Sequence, residues 1–298
     1  MERKFIDLHI HSTNSDGDKK PIELLEMAEK LQLAYISITD HENCKAYEDL
    51  EKIDVKNIYK GKIIPGCELM TSFNNVIIEI LGYYVDEKII NKWYNRTYSK
   101  EEIEKRDKKL FETLKDKVDK SNLKIENELC LPKEIPYTGY FKYMTYQALK
   151  NNNANKEFFN KYNINNYEEF IRKGLSNPQN PLFIQEADYI ATIQEIVNLI
   201  HNAGGLAFVA HLYKYNIENH INFLNDMIKT VKGIDGVECY YSSFSSEQTQ
   251  ELEKFCEDNR LLKSGGSDYH GKLKPKYYMG KGTENKEIDK KIIAKWAK

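Results

Sequence analysis

At 298 residues the chain is long enough to bury a substantial core, as one large domain or two smaller ones. Its 44 basic and 46 acidic residues leave a net charge of −2, which argues against a general nucleic-acid coat or a polybasic membrane surface, though not against a local basic groove. The five cysteines (44, 67, 130, 239, 256) are odd in number and form no CxxC pair, which speaks against a disulfide framework or a cysteine zinc site.

The N-terminus runs straight into an apolar strand with no basic-then-apolar leader, and no apolar run approaches about 18 residues. A soluble, cytoplasmic protein without a membrane partner is expected. Residues 4–10 are predicted as a buried strand, and Pro21 opens a helix with Ile22, Leu25, Met27, Ala28 and Leu31 at helical spacing. A second strand runs from Ala34 to Thr39 and ends in Asp40-His41. A charged, helix-compatible stretch covers about 43–60. A third strand from Ile63-Ile64 runs on to Pro65-Gly66-Cys67-Glu68, and Asn74-Asn75 turns a hairpin into Val76 to Tyr83. Strand and helix in alternation favour a parallel α/β core.

Residues 87–186 change character, with long helical patterns rich in Lys, Glu, Asn and Tyr, and read as a helical insertion, a lid or substrate-binding subdomain, with a loop at Ser176 to Pro181. Within it, residues 99–120 read as a solvated helix face. The α/β rhythm resumes with helix 190–203 ending at Gly204-Gly205, strand Leu206 to Ala210 meeting His211, and a helix near 217–232. Strand Gly236 to Cys239, helix 246–259 and strand Leu261-Leu262 then lead into Gly265-Gly266-Ser267-Asp268-Tyr269-His270.

His9 and His11 sit two apart in a β-branched run, so the strand's period places both imidazoles on one face. Each then offers a ring nitrogen to a divalent ion at about 2.0–2.1 Å. His41, Glu68, His211, Asp268 and His270 share the same kind of position, at or just beyond the C-terminal end of a predicted strand. Five of the seven histidines fall there, and that edge is where catalytic groups converge in barrels of βα units. A mixture of His, Asp and Glu suits Mn, Fe or Zn. Taken singly, several of these residues have plainer readings. Asp16-Gly17 is turn chemistry, Asp40-His41 a helix cap, Glu68 a solvated loop acid, and Glu79 an outward-facing strand residue opposite Val76, Ile78 and Ile80. His201 reads as a helix-end residue facing the dipole, His220 as surface, Gly265-Gly266 as a close backbone approach near the site, and Tyr240-Tyr241 as rim packing.

The motifs His9-Ile10-His11 with Ser15-Asp16-Gly17, Thr39-Asp40-His41, Pro65-Gly66-Cys67-Glu68, Ala210-His211 and Ser267-Asp268-Tyr269-His270 resemble the PHP (polymerase and histidinol phosphatase) family of metal-dependent phosphoesterases, and within it the TrpH-like branch. The resemblance implies a distorted (β/α)7 TIM-like barrel over 1–86 and 187–298. It also implies two or three divalent ions. His9, His11, Glu68 and Asp268 would hold the first. Glu68 would bridge to a second, shared with His211. Asp16, His41 and His270 would hold a third, with Asp40 orienting a ligand. Two positions depart from the branch. Glu79 stands where a histidine is usual, a harder anionic ligand that favours Mn or Fe. Lys142 and Met144 stand where the insertion commonly carries Arg-x-His for phosphate.

The expected activity is hydrolysis of phosphate esters by a metal-activated hydroxide, on nucleotides or short 5′-phosphorylated oligonucleotides, with no stable nucleic-acid complex. His211, His270 and Asp268 are the candidate catalytic residues, and Lys142, Lys214 and Arg172 the candidate phosphate contacts. A small-molecule phosphomonoesterase of the histidinol phosphatase type, an amidohydrolase-like enzyme and a metal-stabilised binding module are the competing readings.

Overall fold

The computed structural model describes residues 2–132 and 139–297. The chain forms two compact units, Met1–Tyr94 with Ile190–Lys298, and Asn95–Tyr189. No helix among the described residues is long and apolar enough to cross a membrane.

The first unit carries strands β1 (Phe5–Ile10), β2 (Tyr35–Ile38), β3 (Lys62–Ile63), β4 (Gly66–Phe73), β5 (Val76–Tyr83), β6 (Leu206–Val209), β7 (Gly236–Tyr241), β8 (Leu262–Gly266) and β9 (Ile288–Asp289). They form two sheets, β3-β2-β1-β9 and β4-β5-β6-β7-β8. The parallel core expected from the sequence is corrected in part: β4–β5 is the antiparallel hairpin expected at Asn74-Asn75, but β5–β6 and β1–β9 are antiparallel as well, and the other pairs are parallel. The fold is therefore mixed α/β. Single bridges join the sheets at Ile10–Tyr269 and His41–Glu68.

The strand expected to run from Ile63 into Glu68 is instead cut in two. Pro65 offers no N–H to a ladder, so β3 ends before it and β4 begins after it in the other sheet. Gly66 permits the step, since a Cβ there would lie 2.3 Å from the Ser37 Oγ. The Asn74-Asn75 turn forms as the sequence indicates, with both residues at positive φ (47° and 65°), the requirement of a two-residue hairpin. The stretch 43–60 becomes two short helices, Lys45–Leu50 and Val55–Ile58. Two-residue β9 had no sequence signal, because its length is below any periodicity.

Alternation along the strands sorts side chains into layers. On β5, Ile78 and Ile80 pack outward against the surrounding helices, while Leu81 and Tyr83 join Ile6, Leu8, Phe208 and Trp296 in a separate apolar cluster drawn from both sheets. Glu79 shares the Leu81 and Tyr83 side of β5, and Glu238 alternates with the outward Val237 and Cys239 on β7. Polar groups thus gather at one end of the apolar cluster.

The second unit is helical, with no strand among its described residues. Its longest helix, Lys100–Lys120, is more than a solvated face: Leu110, Phe111, Leu114 and Val118 form a buried stripe against Phe141, Leu149, Phe159 and Phe170. These apolar residues recur at i, i+1, i+4 and i+8, a stripe that the dense surrounding charge masks in composition.

A candidate metal centre at the strand ends

The loop after β1 is the first element of the site. Ser12 N–H and Oγ and the Ser15 Oγ all donate to the buried Asp40 carboxylate, at 2.7, 2.6 and 2.6 Å. Asp40 therefore shapes the turn that presents Asp16. Gly17 closes that turn, donating to the Ser12 carbonyl at 2.9 Å, in a space where a Cβ would meet the His11 carbonyl oxygen at 2.1 Å. The turn reading and the ligand reading of Asp16-Gly17 describe one object. Asp16 Oδ1 lies 3.1 Å from His270 Nε2 and 3.6 Å from both His11 Nδ1 and His41 Nε2.

Glu68 is the centre of the cluster, buried at 1 % exposure. Its Oε1 lies 2.8 Å from His211 Nε2, and its Oε2 lies 3.2, 3.3 and 3.3 Å from His9 Nε2, His11 Nε2 and His41 Nδ1. Each carboxylate oxygen thus faces a different set of imidazoles, the disposition of a bridging ligand. Glu79 reaches His211 Nε2 at 3.2 Å and His41 Nδ1 at 3.5 Å, so it points toward the histidines rather than outward. Asp268 Oδ1 lies 3.3 Å from both His11 Nε2 and His270 Nδ1. Backbone bonds lock these ends together: Asp268 N–H donates to the His9 carbonyl at 2.8 Å, and His11 N–H to the Tyr269 carbonyl at 2.9 Å. Gly266 allows that approach, since a Cβ there would sit 2.3 Å from His9 Cβ. His211 and Asp268 hold positive φ (21° and 56°), sparsely populated for non-glycine residues and a mark of functional sites.

Ligating atoms cluster within 4.8 Å in four overlapping groups: His11, Asp16, His41 and His270; His9, Glu68 and His211; His9, His11 and Asp268; and His41, Glu68 and Glu79. The donor set passes a fit test for divalent ions. His9 Nε2, His11 Nε2 and His270 Nε2 are buried without an aligned hydrogen-bond partner. The opposite nitrogens of His9 and His270 are engaged, Nδ1 of His9 with Glu238 Oε1 and Nδ1 of His270 with the Asp268 carbonyl, each at 2.8 Å. Both rings consequently aim an Nε2 lone pair into the cluster.

Glu238 is the functional residue that the sequence reading missed. It is fully buried, and its second oxygen accepts the His211 N–H at 2.8 Å. An isolated Glu inside an apolar strand gave no local signal beyond its being out of place there. Tyr241 is also more than packing, since its hydroxyl donates to Asp268 Oδ2 at 2.6 Å. His201 bonds Asp235 Oδ2 at 2.8 Å, a specific partner rather than the helix dipole. His220 Nε2 faces the Tyr215 carbonyl at 3.0 Å. Of the three candidate phosphate contacts, Lys214 belongs to the first unit, in the turn Leu212–Lys214 just after His211. Lys142 and Arg172 belong to the second unit, where Lys142 is paired with Glu186 at 2.5 Å.

Burial works against a positive charge on the central imidazoles, but the carboxylates outweigh it. Glu68, Glu238 and Asp268 hold His9 well above its ordinary pKa, Asp268 and Glu68 hold His11 up at about 9, and Glu68 and Glu79 hold His211 up at about 10. Burial would raise Glu68 and Asp268, yet the same histidines keep both well below the usual carboxylate range. Burial holds His41 below its ordinary value, while the carboxylates favour protons on the buried imidazoles of His9, His11 and His211. Their stabilisation is present below the unfolded histidine pKa of about 6.5 and is lost as pH rises through about 9 to 10. A divalent ion must displace those protons, so manganese uptake is expected to release at least one proton per chain near pH 7. Its affinity should rise about tenfold per pH unit for each proton displaced. Calorimetry in buffers of different ionisation enthalpy counts them, and a count of zero would refute the cluster as the binding site.

Fold and site together define a mixed α/β protein with a buried histidine–carboxylate cluster that suits divalent metal ions. The PHP domain family pattern matches residues 7–212, and the chain belongs to that family. It is 27 % identical over 275 residues to a 5′-3′ exoribonuclease of Haemophilus influenzae, covering 91 % of each chain. It is 23 % identical over 269 residues to the 5′-3′ exoribonuclease Rnm of Escherichia coli, covering 89 % of this chain and 84 % of that one. Among solved structures it resembles an amidohydrolase from Chromobacterium violaceum (TM-score 0.56, 19 % identity, 89 % and 87 % covered). It also resembles a candidate metal-dependent phosphoesterase from Bifidobacterium adolescentis (TM-score 0.55, 20 % identity, 96 % and 93 % covered).

Proposed function

We propose that the chain is a metal-dependent phosphoesterase that hydrolyses nucleotides or short 5′-phosphorylated oligonucleotides. The observation that carries the reading is the convergence of three buried, unbonded Nε2 atoms with Glu68, Asp268 and Asp16. The names of the two exoribonuclease relatives support the nucleic-acid side of it. The single bridges between the two sheets support a distorted, incompletely closed barrel.

In this reading His9, His11, Glu68 and Asp268 hold one ion, Glu68 with His211 and Glu79 a second, and Asp16, His41 and His270 a third. Mn, Fe and Zn all suit such donors. Bound there, the ions supply hydroxide at neutral pH and neutralise the phosphoryl oxygens. Glu238 and the Asp268 carbonyl fix the tautomers of His9 and His270, so His270 serves as a ligand. His211 would hold the second ion through Nε2, which faces Glu68 and Glu79, and its Nδ1 is buried without a hydrogen-bond partner.

Manganese-reconstituted protein, with His9→Ala as control, is the test. The panel is mononucleotides, 3′,5′-bisphosphonucleotides, a short 5′-phosphorylated RNA and histidinol phosphate. Release from RNA or nucleotides by the unsubstituted protein alone is the expected result. Turnover of histidinol phosphate alone would transfer the protein to small-molecule phosphate chemistry, and no release from any would overturn the phosphoesterase reading.

A further inference from the structure

Asp268 divides its two oxygens between separate tasks. Oδ1 faces the imidazoles of His9, His11 and His270 at 3.6, 3.3 and 3.3 Å. Oδ2 accepts from the Tyr241 hydroxyl at 2.6 Å and from Lys274 Nζ at 2.7 Å. Lys274 remains 38 % exposed, so its ammonium touches the metal cluster on one side and solvent on the other. It lies 5.9 Å from the centre of the Tyr277 ring, which packs edge-on against Tyr241 at 5.7 Å. Burial would raise the Tyr277 phenol, but Ser243, Tyr241 and Lys214 around its hydroxyl bring it below the ordinary value. Lys214 makes no ion pair among the described residues, whereas Lys142 is already committed to Glu186.

Beside the cluster carboxylates Asp16, Glu68, Glu79 and Asp268, which would repel an incoming anion, therefore stand the Lys274 ammonium and the Tyr241 and Tyr277 rings, with Lys214 in the turn after His211. We propose that Lys274, with Lys214 and the Tyr277 hydroxyl, seats the phosphoryl oxygens of the substrate beside the metal centre. This rests on the phosphoesterase reading and supplies the cation within the first unit; Lys274 is paired with Asp268 as Lys142 is with Glu186, but it is 38 % exposed beside the cluster and keeps N–H donors for a phosphate oxygen. Lysine binds phosphate as a point charge, without the bidentate fork of arginine, so two lysines around a hydroxyl make a reasonable substitute. A lysine serving only to neutralise Asp268 would need neither exposure to solvent nor a second unpaired lysine beside it.

Binding of inorganic phosphate to the manganese-loaded protein, measured by calorimetry together with metal content, tests the assignment. Lys274→Met and Lys214→Met should each weaken phosphate at least about tenfold with manganese content unchanged, and Lys274→Arg should restore most of the affinity. Lys214 touches His211 through its backbone N–H, which donates to the His211 carbonyl at 2.8 Å and is kept on substitution, so Lys214→Met remains informative if Lys274→Met folds poorly. Unchanged phosphate affinity in the two methionine variants would overturn the subsite, as would wild-type protein that binds no phosphate. Metal loss in Lys274→Met, with Lys214→Met silent, would reduce Lys274 to a positioning residue for Asp268 and overturn it too. Wild-type protein that binds phosphate through these lysines but hydrolyses no ester would sink the phosphoesterase reading and leave the subsite standing.

Discussion

Glu68→Gln is expected to remove at least one divalent ion per chain and to lower phosphate-ester hydrolysis by more than the 10–100-fold typical of losing a residue that only supports a ligand. Four histidines face this one carboxylate, within 2.8 to 3.3 Å. An amide keeps the shape but turns an NH2 toward imidazoles that need a shared anion, and it removes the charge that offsets two cations. The fold should survive, because the apolar clusters of the unit do not include Glu68. Metal analysis after dialysis, initial rates and circular dichroism check the three parts separately. His9→Ala and Asp268→Asn belong to the same class and should behave alike. Full activity with full metal content in Glu68→Gln would dismantle the proposed centre.

Glu238→Gln is expected to weaken metal binding about 10–100-fold, although the residue touches no ion in the proposed arrangement. Its two oxygens accept from two different donors, the His9 ring and the His211 N–H, both at 2.8 Å. Glutamine can accept from only one of them and sets a donor against the other in a fully buried place, where an unmade hydrogen bond costs about 1–3 kcal/mol. His9 would then lose its fixed tautomer, or the His211 backbone its unusual φ. Competition with a chelator measures the affinity, and a wild-type value would show that Glu238 serves packing alone.

Much of the candidate site was legible from local chemistry. The pairing of His9 with His11 follows from strand period, and His41 and His211 lie just past the ends of β2 and β6, whereas Glu68, expected at the end of its strand, is the third residue of β4. Asp16 was ambiguous because a turn and a ligand use the same residues, and here the turn brings its carboxylate to within 3.1 to 3.6 Å of three imidazoles. Glu79 was ambiguous because period alone cannot say which strand face turns inward. Glu238 and Lys274 were missed because each becomes meaningful only beside a residue far away in the chain, His9 for one and Asp268 for the other. The split of the expected third strand and the existence of β9 were missed for a related reason: two-residue strands are defined by their neighbours.

The sequence by itself determined the alternation of strands and helices, the placing of histidines and carboxylates at strand ends, and the helical character of the inserted segment. These depend on interactions among residues a few positions apart, where backbone geometry is enough to decide. The tertiary structure alone decided the mixed strand directions and the two-sheet arrangement. It also decided which oxygen of Glu68 meets which imidazole, and that Lys274 and Tyr241 share one oxygen of Asp268. Those outcomes depend on contacts between residues far apart in the chain, as with Asp7 and Ser267, 260 positions apart, and the cost of burying an unpaired charge selects them only after the chain has folded.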